Sequence, residues 1–218
     1  MTRGKFITLE GPEGAGKSTQ AAMLISKLEA RGLEVLYSRE PGGTPMGEAV
    51  RGILQYNTAG EAPCPESEVL LFEASRAQLV RHVLLPALER GAWVVCDRFA
   101  DSTTAYQGFG RGFPVETIEQ LNHFAIGPAV PDMTLILDVN VTLGLQRCAK
   151  RQHGGKAQYD RIESEALDFH ERVRQGYLAL ARLNPTRYRV IDAMRPADLV
   201  AADLWQTVSA AFFPGTLP

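Results

Sequence analysis

The sequence predicts an α/β protein, a five-stranded parallel sheet with helices on both faces, and three observations carry that expectation. Short apolar runs recur along the chain, several of them nearly continuous in apolar residues, as strands buried on both faces are. Segments of helical period lie between them. Strand and helix alternate from one end to the other, the pattern of parallel strands joined by helical crossovers.

In chain order, Phe6-Ile7-Thr8-Leu9 is the first strand. Ala21, Leu24, Ile25 and Leu28 follow at i, i+3, i+4 and i+7, one face of a helix, and Gly32 stops it. Val35-Leu36-Tyr37 is the second strand. Leu79, Val83, Leu84 and Leu88 repeat the helical spacing, end at Gly91, and lead into the third strand, Trp93-Val94-Val95-Cys96. Leu135-Ile136-Leu137 is the fourth. A helix over about residues 164–183 ends at Asn184-Pro185, before the fifth strand, Tyr188-Arg189-Val190-Ile191. Asp198 to Phe212 is a last helix. Two stretches interrupt the scheme. Residues 41–65 are rich in Gly and Pro and read as an elaborated connection between strands two and three. Residues 150–160 (KRQHGGKAQYD) are polar and basic, and a hinged lid and an ordinary long surface loop both fit them.

A chain of 218 residues, 45% apolar and 22% charged, is expected to fold as one domain over residues 1–218. The net charge of −2 lacks the basic excess of a nucleic-acid binder, and no apolar run is long enough to span a bilayer. Cys64, Cys96 and Cys148 lie far apart, without metal-site or disulfide-framework spacing. With no signal-peptide core after Met1, the expectation is a cytoplasmic protein.

Gly11-Pro12-Glu13-Gly14-Ala15-Gly16-Lys17-Ser18 fits the phosphate-loop pattern G-x-x-x-x-G-K-[ST], and it joins the first strand to the first helix, as the chemistry requires. Glycines let successive backbone N–H groups curl around phosphate oxygens, and the helix N-terminus adds partial positive charge. Lys17, expected to sit exposed in the loop, would reach the β- and γ-phosphates, and Ser18 would ligate Mg²⁺. The N-K-x-D motif of GTPases is absent, and the third strand ends Cys96-Asp97-Arg98 rather than in the Asp-Glu of motor ATPases. Asp97 stands at the carboxyl end of a strand, where α/β sheets bind ligands, and Arg98 offers a bidentate fork for phosphate; a local Asp–Arg ion pair is the alternative.

The chain resembles the thymidylate kinases over almost its whole length. After the P-loop come Arg39-Glu40-Pro41-Gly42-Gly43-Thr44, Leu71-Phe72-Glu73-Ala74-Ser75-Arg76, Asp97-Arg98-Phe99-Ala100-Asp101-Ser102, Ala105-Tyr106-Gln107-Gly108, Pro131-Asp132-Met133-Thr134 and Asp160-Arg161-Ile162-Glu163, in that order. The resemblance implies a P-loop kinase fold with a P-loop at 11–18, a monophosphate region over about 39–76 and a lid over about 148–163. It implies transfer of the ATP γ-phosphate to dTMP, for dTTP synthesis, with Mg²⁺ held by Ser18 and, through water, by Asp97. Residues 11–18 with Thr19 would hold ATP, with Arg147 stacked on adenine and Ala193 at the adenine edge. Phe72 would stack on thymine and Arg76 would donate to a thymine carbonyl. Thr103 and Gln107 would meet the base, Tyr106 would pack on deoxyribose, and Glu13 would lie near the 3′-hydroxyl. Glu40 would belong to the dTMP site, and Arg51 and Arg98 would hold the dTMP phosphate. Relatives are often homodimers, and the same is implied here.

Members of the family place a catalytic arginine either at the P-loop position of Gly14 or in the lid. Glycine at that position implies the second arrangement, with Arg151 the best match and Arg161 an additional candidate. Arg151→Ala is expected to lower kcat far more than it raises the KM for dTMP, since arginine fingers are worth about 10³-fold or more. Wild-type kcat in Arg151→Ala, Arg161→Ala and the double variant would remove the lid from the reaction.

Overall fold

The computed structural model describes residues 2–150 and 160–215, with the backbone alone of 151–153. Five strands, β1 (Phe6–Glu10), β2 (Val35–Arg39), β3 (Trp93–Asp97), β4 (Met133–Asp138) and β5 (Tyr188–Asp192), form one sheet in the order β2-β3-β1-β4-β5. Every pairing is parallel, with Leu9 beside Asp97 on one side and Leu135 on the other. The helices are α1 (Lys17–Glu29), α2 (Pro45–Tyr56), α3 (Pro65–Leu79), α4 (Leu85–Glu89), α5 (Ala100–Thr103), α6 (Val115–Ile126), α7 (Val141–His153), α8 (Leu167–Leu183) and α9 (Ala197–Phe212).

The strand periodicity of two decides which helices cover which face. Ile7, Leu9, Val95, Leu135 and Leu137 pack with Leu24 and Leu28 of α1 and with Val200, Leu204 and Val208 of α9. Phe6, Val94 and Cys96 point the other way, onto Leu79, Leu84 and Leu88, while Ile136 meets Phe169, Val173 and Tyr177 of α8. Each such aliphatic or aromatic side chain contributes roughly 1.5–3 kcal/mol by leaving water. The central strand also carries Thr8, whose hydroxyl is hydrogen-bonded to that of Thr134 at 2.9 Å, so the buried polar group has a partner. All five strands end on an ionisable residue: Glu10, Arg39, Asp97, Asp138 and Asp192. The carboxyl edge of the sheet is therefore a row of charge, and the candidate residues Lys17, Asp97 and Arg98 lie beside it.

The connection over 41–65 is more regular than its composition suggested. Thr44 caps α2, accepting from Gly47 N at 3.0 Å, and Pro45 takes the first helical turn, where its missing N–H costs nothing. The helix of Leu79 to Leu88 is likewise part of a longer rod. α3 runs into α4 through a π-helical turn at Val80–Leu84, in which Leu85 N reaches Val80 O, just before Pro86 removes a donor. A second π-helical segment, Thr104–Gly110, continues α5 and packs on α8, with Phe169 so close to Gly110 that a Cβ there would lie 2.7 Å from its ring. The third connection, from β3 to β4, contains α6, which lacked a place in the sequence scheme.

One close approach ties the phosphate loop to the helical layer. A Cβ on Gly144 of α7 would lie 2.2 Å from the carbonyl oxygen of Glu13. Gly144→Ala is therefore expected to cost about 1–3 kcal/mol, as overpacking against fixed backbone does. The melting temperature should fall by several degrees and nucleotide affinity should weaken with it. Thermal unfolding and a nucleotide titration on the same preparation check both.

Candidate active site

The loop over residues 11–16 leaves β1 and turns into α1. Gly11 has φ 136°, and a Cβ there would stand 2.4 Å from Leu137 O on β4. Gly14 has φ 69° and faces Gly144 O at 2.1 Å from where its Cβ would be, so position 14 has no room for a side chain, arginine included. Gly16, at φ 87°, caps α1, whose first turn holds no acidic residue; its N–H groups and dipole favour an anion. Ala15 packs into the core beneath, while Ser18 and Thr19 line the cleft.

Lys17 is not exposed as expected. It is 8% exposed, and its ammonium donates to the carbonyls of Gly11 (3.0 Å) and Pro12 (2.9 Å), because the loop closes over it. Burial and the neighbouring Arg98 lower its pKa to about 8, against the pull of Glu13, Asp97 and Glu10.

Asp97 and Arg98 are not a local ion pair. Asp97 Oδ2 accepts from Ser18 Oγ at 2.5 Å. Arg98, in the left-handed region at φ 69°, turns the other way and donates from Nη2 to Glu13 Oε1 at 2.6 Å, with its guanidinium 5.0 Å from the centre of the Tyr106 ring. The Tyr106 hydroxyl donates to the same Glu13 oxygen at 2.8 Å. Burial opposes ionisation of Glu13, but Arg98, Lys17 and Tyr106 outweigh it and hold the carboxyl at about 2. Behind them Glu10 accepts from Phe99 N (2.7 Å), Ser102 Oγ (2.6 Å) and Tyr177 Oη (2.9 Å), and its pKa is pushed up to about 7 by burial and Asp101.

Three adjoining cavities meet at this point. The central cleft, 390 Å³, is lined by Glu13, Gly14, Gly16, Lys17, Ser18 and Thr19, and by Arg39, Glu40, Arg51, Asp97 and Arg98. Arg51 donates to Pro41 O at 3.0 Å. The second cavity shares Glu13 and Arg98 with the cleft and adds Phe72, Thr103, Tyr106 and Gln107. The third, also 390 Å³, shares Gly14, Gly16 and Thr19 and adds Arg147 and Ala193. Arg147 Nη1 bridges the carbonyls of Gly14 (3.3 Å) and Ala193 (3.1 Å).

Arg76 stands apart from its expected companions. It is 1% exposed and lines none of the three cavities. Nε and Nη2 donate to Glu40 Oε2 at 2.9 and 2.7 Å, Nη1 to Glu73, Thr103 Oγ1 and Asn122 Oδ1, and Nη2 also to Phe99 O. These acceptors engage its five N–H groups. The expected donation from Arg76 to a base is not what this arrangement offers; the guanidinium positions Glu40 and Thr103 instead. Glu40 keeps Oε1 buried without a partner, and burial raises its pKa to about 7 despite Arg76.

The lid candidates separate. The side chain of Arg151 lies outside the described residues, as do residues 154–159. Arg161 is described and does not line the cleft: it donates to Glu68 and, at 3.1 Å, to Leu54 O. Asp160 and Glu163, its neighbours in sequence, are the ones that line it. Arg39, Gln55 and Glu68 were absent from the expected site. Gln55 lies on α2, in the stretch read as an elaborated connection, and Arg39 ends β2 beside Asp97.

Comparison with known proteins gives one consistent result. The thymidylate kinase family profile matches residues 9–204. The chain is 52% identical over 209 residues to a thymidylate kinase of Deinococcus radiodurans, covering 96% of this chain and 98% of that one. It is 48% identical over 204 residues to one of Thermomicrobium roseum, covering 94% of each. A crystal structure of the thymidylate kinase from Ehrlichia chaffeensis superposes with a TM-score of 0.74 at 34% identity, over 94% of this chain and 99% of that one.

The depressed Lys17 pKa gives a testable sign. An ammonium titrating near 8 carries its charge below that value and loses it above. Affinity for a nucleoside triphosphate should therefore fall as pH rises through about 8 in the free protein, because the charge that meets phosphate is lost. Calorimetric titration across that range checks it, and flat affinity up to the ordinary lysine pKa would contradict the burial of this charge.

Proposed function

The chain belongs to the thymidylate kinase family, and from that premise we propose how its three adjoining cavities carry out the reaction ATP + dTMP → ADP + dTDP. The protein is a phosphotransferase of this family. One observation supports the assignment of parts: the phosphate cleft opens on one side to the Phe72 cavity and on the other to the Arg147 groove. Two nucleotides laid in the flanking cavities would bring their phosphates together over Lys17 and Arg98.

In this reading ATP lies with adenine stacked on Arg147, its edge at the Ala193 turn, and its phosphates on the loop of residues 11–18, with Thr19. Lys17 leaves the carbonyls of Gly11 and Pro12 for the transferring phosphoryl group. dTMP lies with thymine on Phe72 beside Thr103 and Gln107, its sugar on Tyr106 and its 3′-hydroxyl toward ionised Glu13. Arg98 and Arg51 hold its phosphate, and Glu40 closes the cleft behind them. A phosphate acceptor is already ionised near neutral pH, so no general base is needed; positioning and charge neutralisation supply the rate. The Ser18–Asp97 pair fits Mg²⁺, with Ser18 as an oxygen ligand and Asp97 acting through water, since both line the cleft and are already joined by a hydrogen bond. Mg²⁺ bound there would neutralise charge on the β- and γ-phosphates. Arg151 remains the proposed lid arginine. Arg161 takes that part only on leaving Glu68.

The reading extends to a cytoplasmic homodimer. Leu70 on α3 and Phe124 on α6, 58% and 88% exposed, suit a helical interface between copies. Among the described residues no helix is long and apolar enough to cross a membrane.

A panel of monophosphates with ATP and Mg²⁺ tests the assignment. dTMP should be the best acceptor and dUMP weaker, because the thymine methyl beside Phe72 is worth about 1–3 kcal/mol in a closed pocket. CMP and AMP should be poor. Equal rates on CMP and dTMP would overturn the placement of thymine in the Phe72 cavity.

A further inference from the structure

Glu68 has no part in the reading above, yet the base side and the lid side of the site converge on it. It lies on α3 one helical turn before Phe72 and is 1% exposed. Its oxygens accept from Gln107 Nε2 (2.8 Å), from Arg111 Nε (2.7 Å) and Nη2 (3.0 Å), and from Arg161 Nη2. Burial opposes its charge, but the bonds from Arg111, Arg161 and Gln107 outweigh burial and hold the carboxyl below the usual range. Glu68 is thus an acceptor only.

That fixes the direction of the Gln107 amide. An amide facing a carboxylate turns its NH₂ toward it, since the opposite orientation would set two acceptors together. Gln107 lines the Phe72 cavity and Glu68 does not. The NH₂ is therefore engaged outside the cavity, and the carbonyl oxygen is the end left for a base. Thymine carries an N–H at ring position 3, where cytosine carries a lone pair.

We propose that Glu68 is a positioning residue for pyrimidine selectivity, locking the Gln107 amide so that its carbonyl oxygen accepts a ring N–H and repels a ring acceptor. This rests on dTMP lying in the Phe72 cavity. A site built to pair one polar group rejects the mismatched analogue strongly, because its own buried group is left unpaired. Replacing Glu68 by a neutral amide, which donates as well as it accepts, frees Gln107 to invert.

The test compares kcat/KM for dTMP and dCMP in the wild type, Glu68→Gln, Glu68→Asp and Gln107→Leu. Glu68→Gln should narrow the dTMP-to-dCMP ratio by about tenfold or more. Glu68→Asp, still an acceptor only, should hold the ratio near wild type, which a purely structural role would not distinguish. Gln107→Leu should narrow the ratio, and adding Glu68→Gln to it should narrow it no further. A folded Glu68→Gln protein with the wild-type ratio, beside a Gln107→Leu protein whose ratio has narrowed, would overturn the proposal. A wild-type ratio in Gln107→Leu would instead overturn the placement of thymine against Gln107. Should the surplus positive charge of Arg111 and Arg161 prevent Glu68→Gln from folding, the Glu68→Gln/Arg111→Gln pair removes one of the two cations and carries the same comparison.

Discussion

The Arg98–Glu13 contact at 2.6 Å organises the rest of the cleft. Arg98 keeps Glu13 ionised inside the protein, and the same positive charge helps to lower the pKa of Lys17. Its backbone, in the left-handed region, is what separates it from Asp97 and leaves that carboxylate to Ser18. One guanidinium thus separates the Glu13–Lys17 side of the cleft from the Ser18–Asp97 pair. Around it the carboxyl edge of the sheet confines Glu10, Asp97 and Lys17, each tied to a neighbour by a hydrogen bond. Breaking up such a group leaves charges buried without compensation, which costs more than any one bond is worth intact.

The strands were legible because their signal is local. Five apolar runs, read as strands, are five strands, each extended by one to three residues at its ends. α1, α8 and α9 followed from period and stop signals. α2 was read only as part of an elaborated connection because Gly and Pro were weighed as composition rather than by position. Thr44-Pro45 is a cap followed by a first-turn proline, a helix start written in the least helical residue types. The rod through Pro86 was read from Leu79 to Leu88, across the proline, whereas it reaches back through the π-helical turn to Pro65.

The site was legible where the motif is itself the geometry. The phosphate loop and the Asp97-Arg98 strand end lie where their spacing requires. The partners of buried charges were not legible, because they are chosen across the fold. Arg76 lies one helical turn after Phe72 on α3, but Glu40, Thr103 and Asn122 reach it from three other parts of the fold and occupy its donors. Glu68 collects donors 39, 43 and 93 residues away, and no pattern along the chain records that. The burial of Lys17 belongs to the same class: its neighbours are loop carbonyls, and carbonyls carry no sequence.

The π-helical segment Thr104–Gly110 bears on which changes of length this chain can absorb. Tyr106 and Gln107 sit within it, and Gly110 closes it against Phe169. A substitution there changes one side chain, whereas deleting one residue would return the turn to α-helical winding and swing everything beyond by about 100°. Gln107 would leave Glu68, and a bulkier neighbour would be driven into the Phe169 ring. The length of this segment therefore carries as much as its residues: one residue gained or lost would break the Gln107–Glu68 and Gly110–Phe169 contacts together.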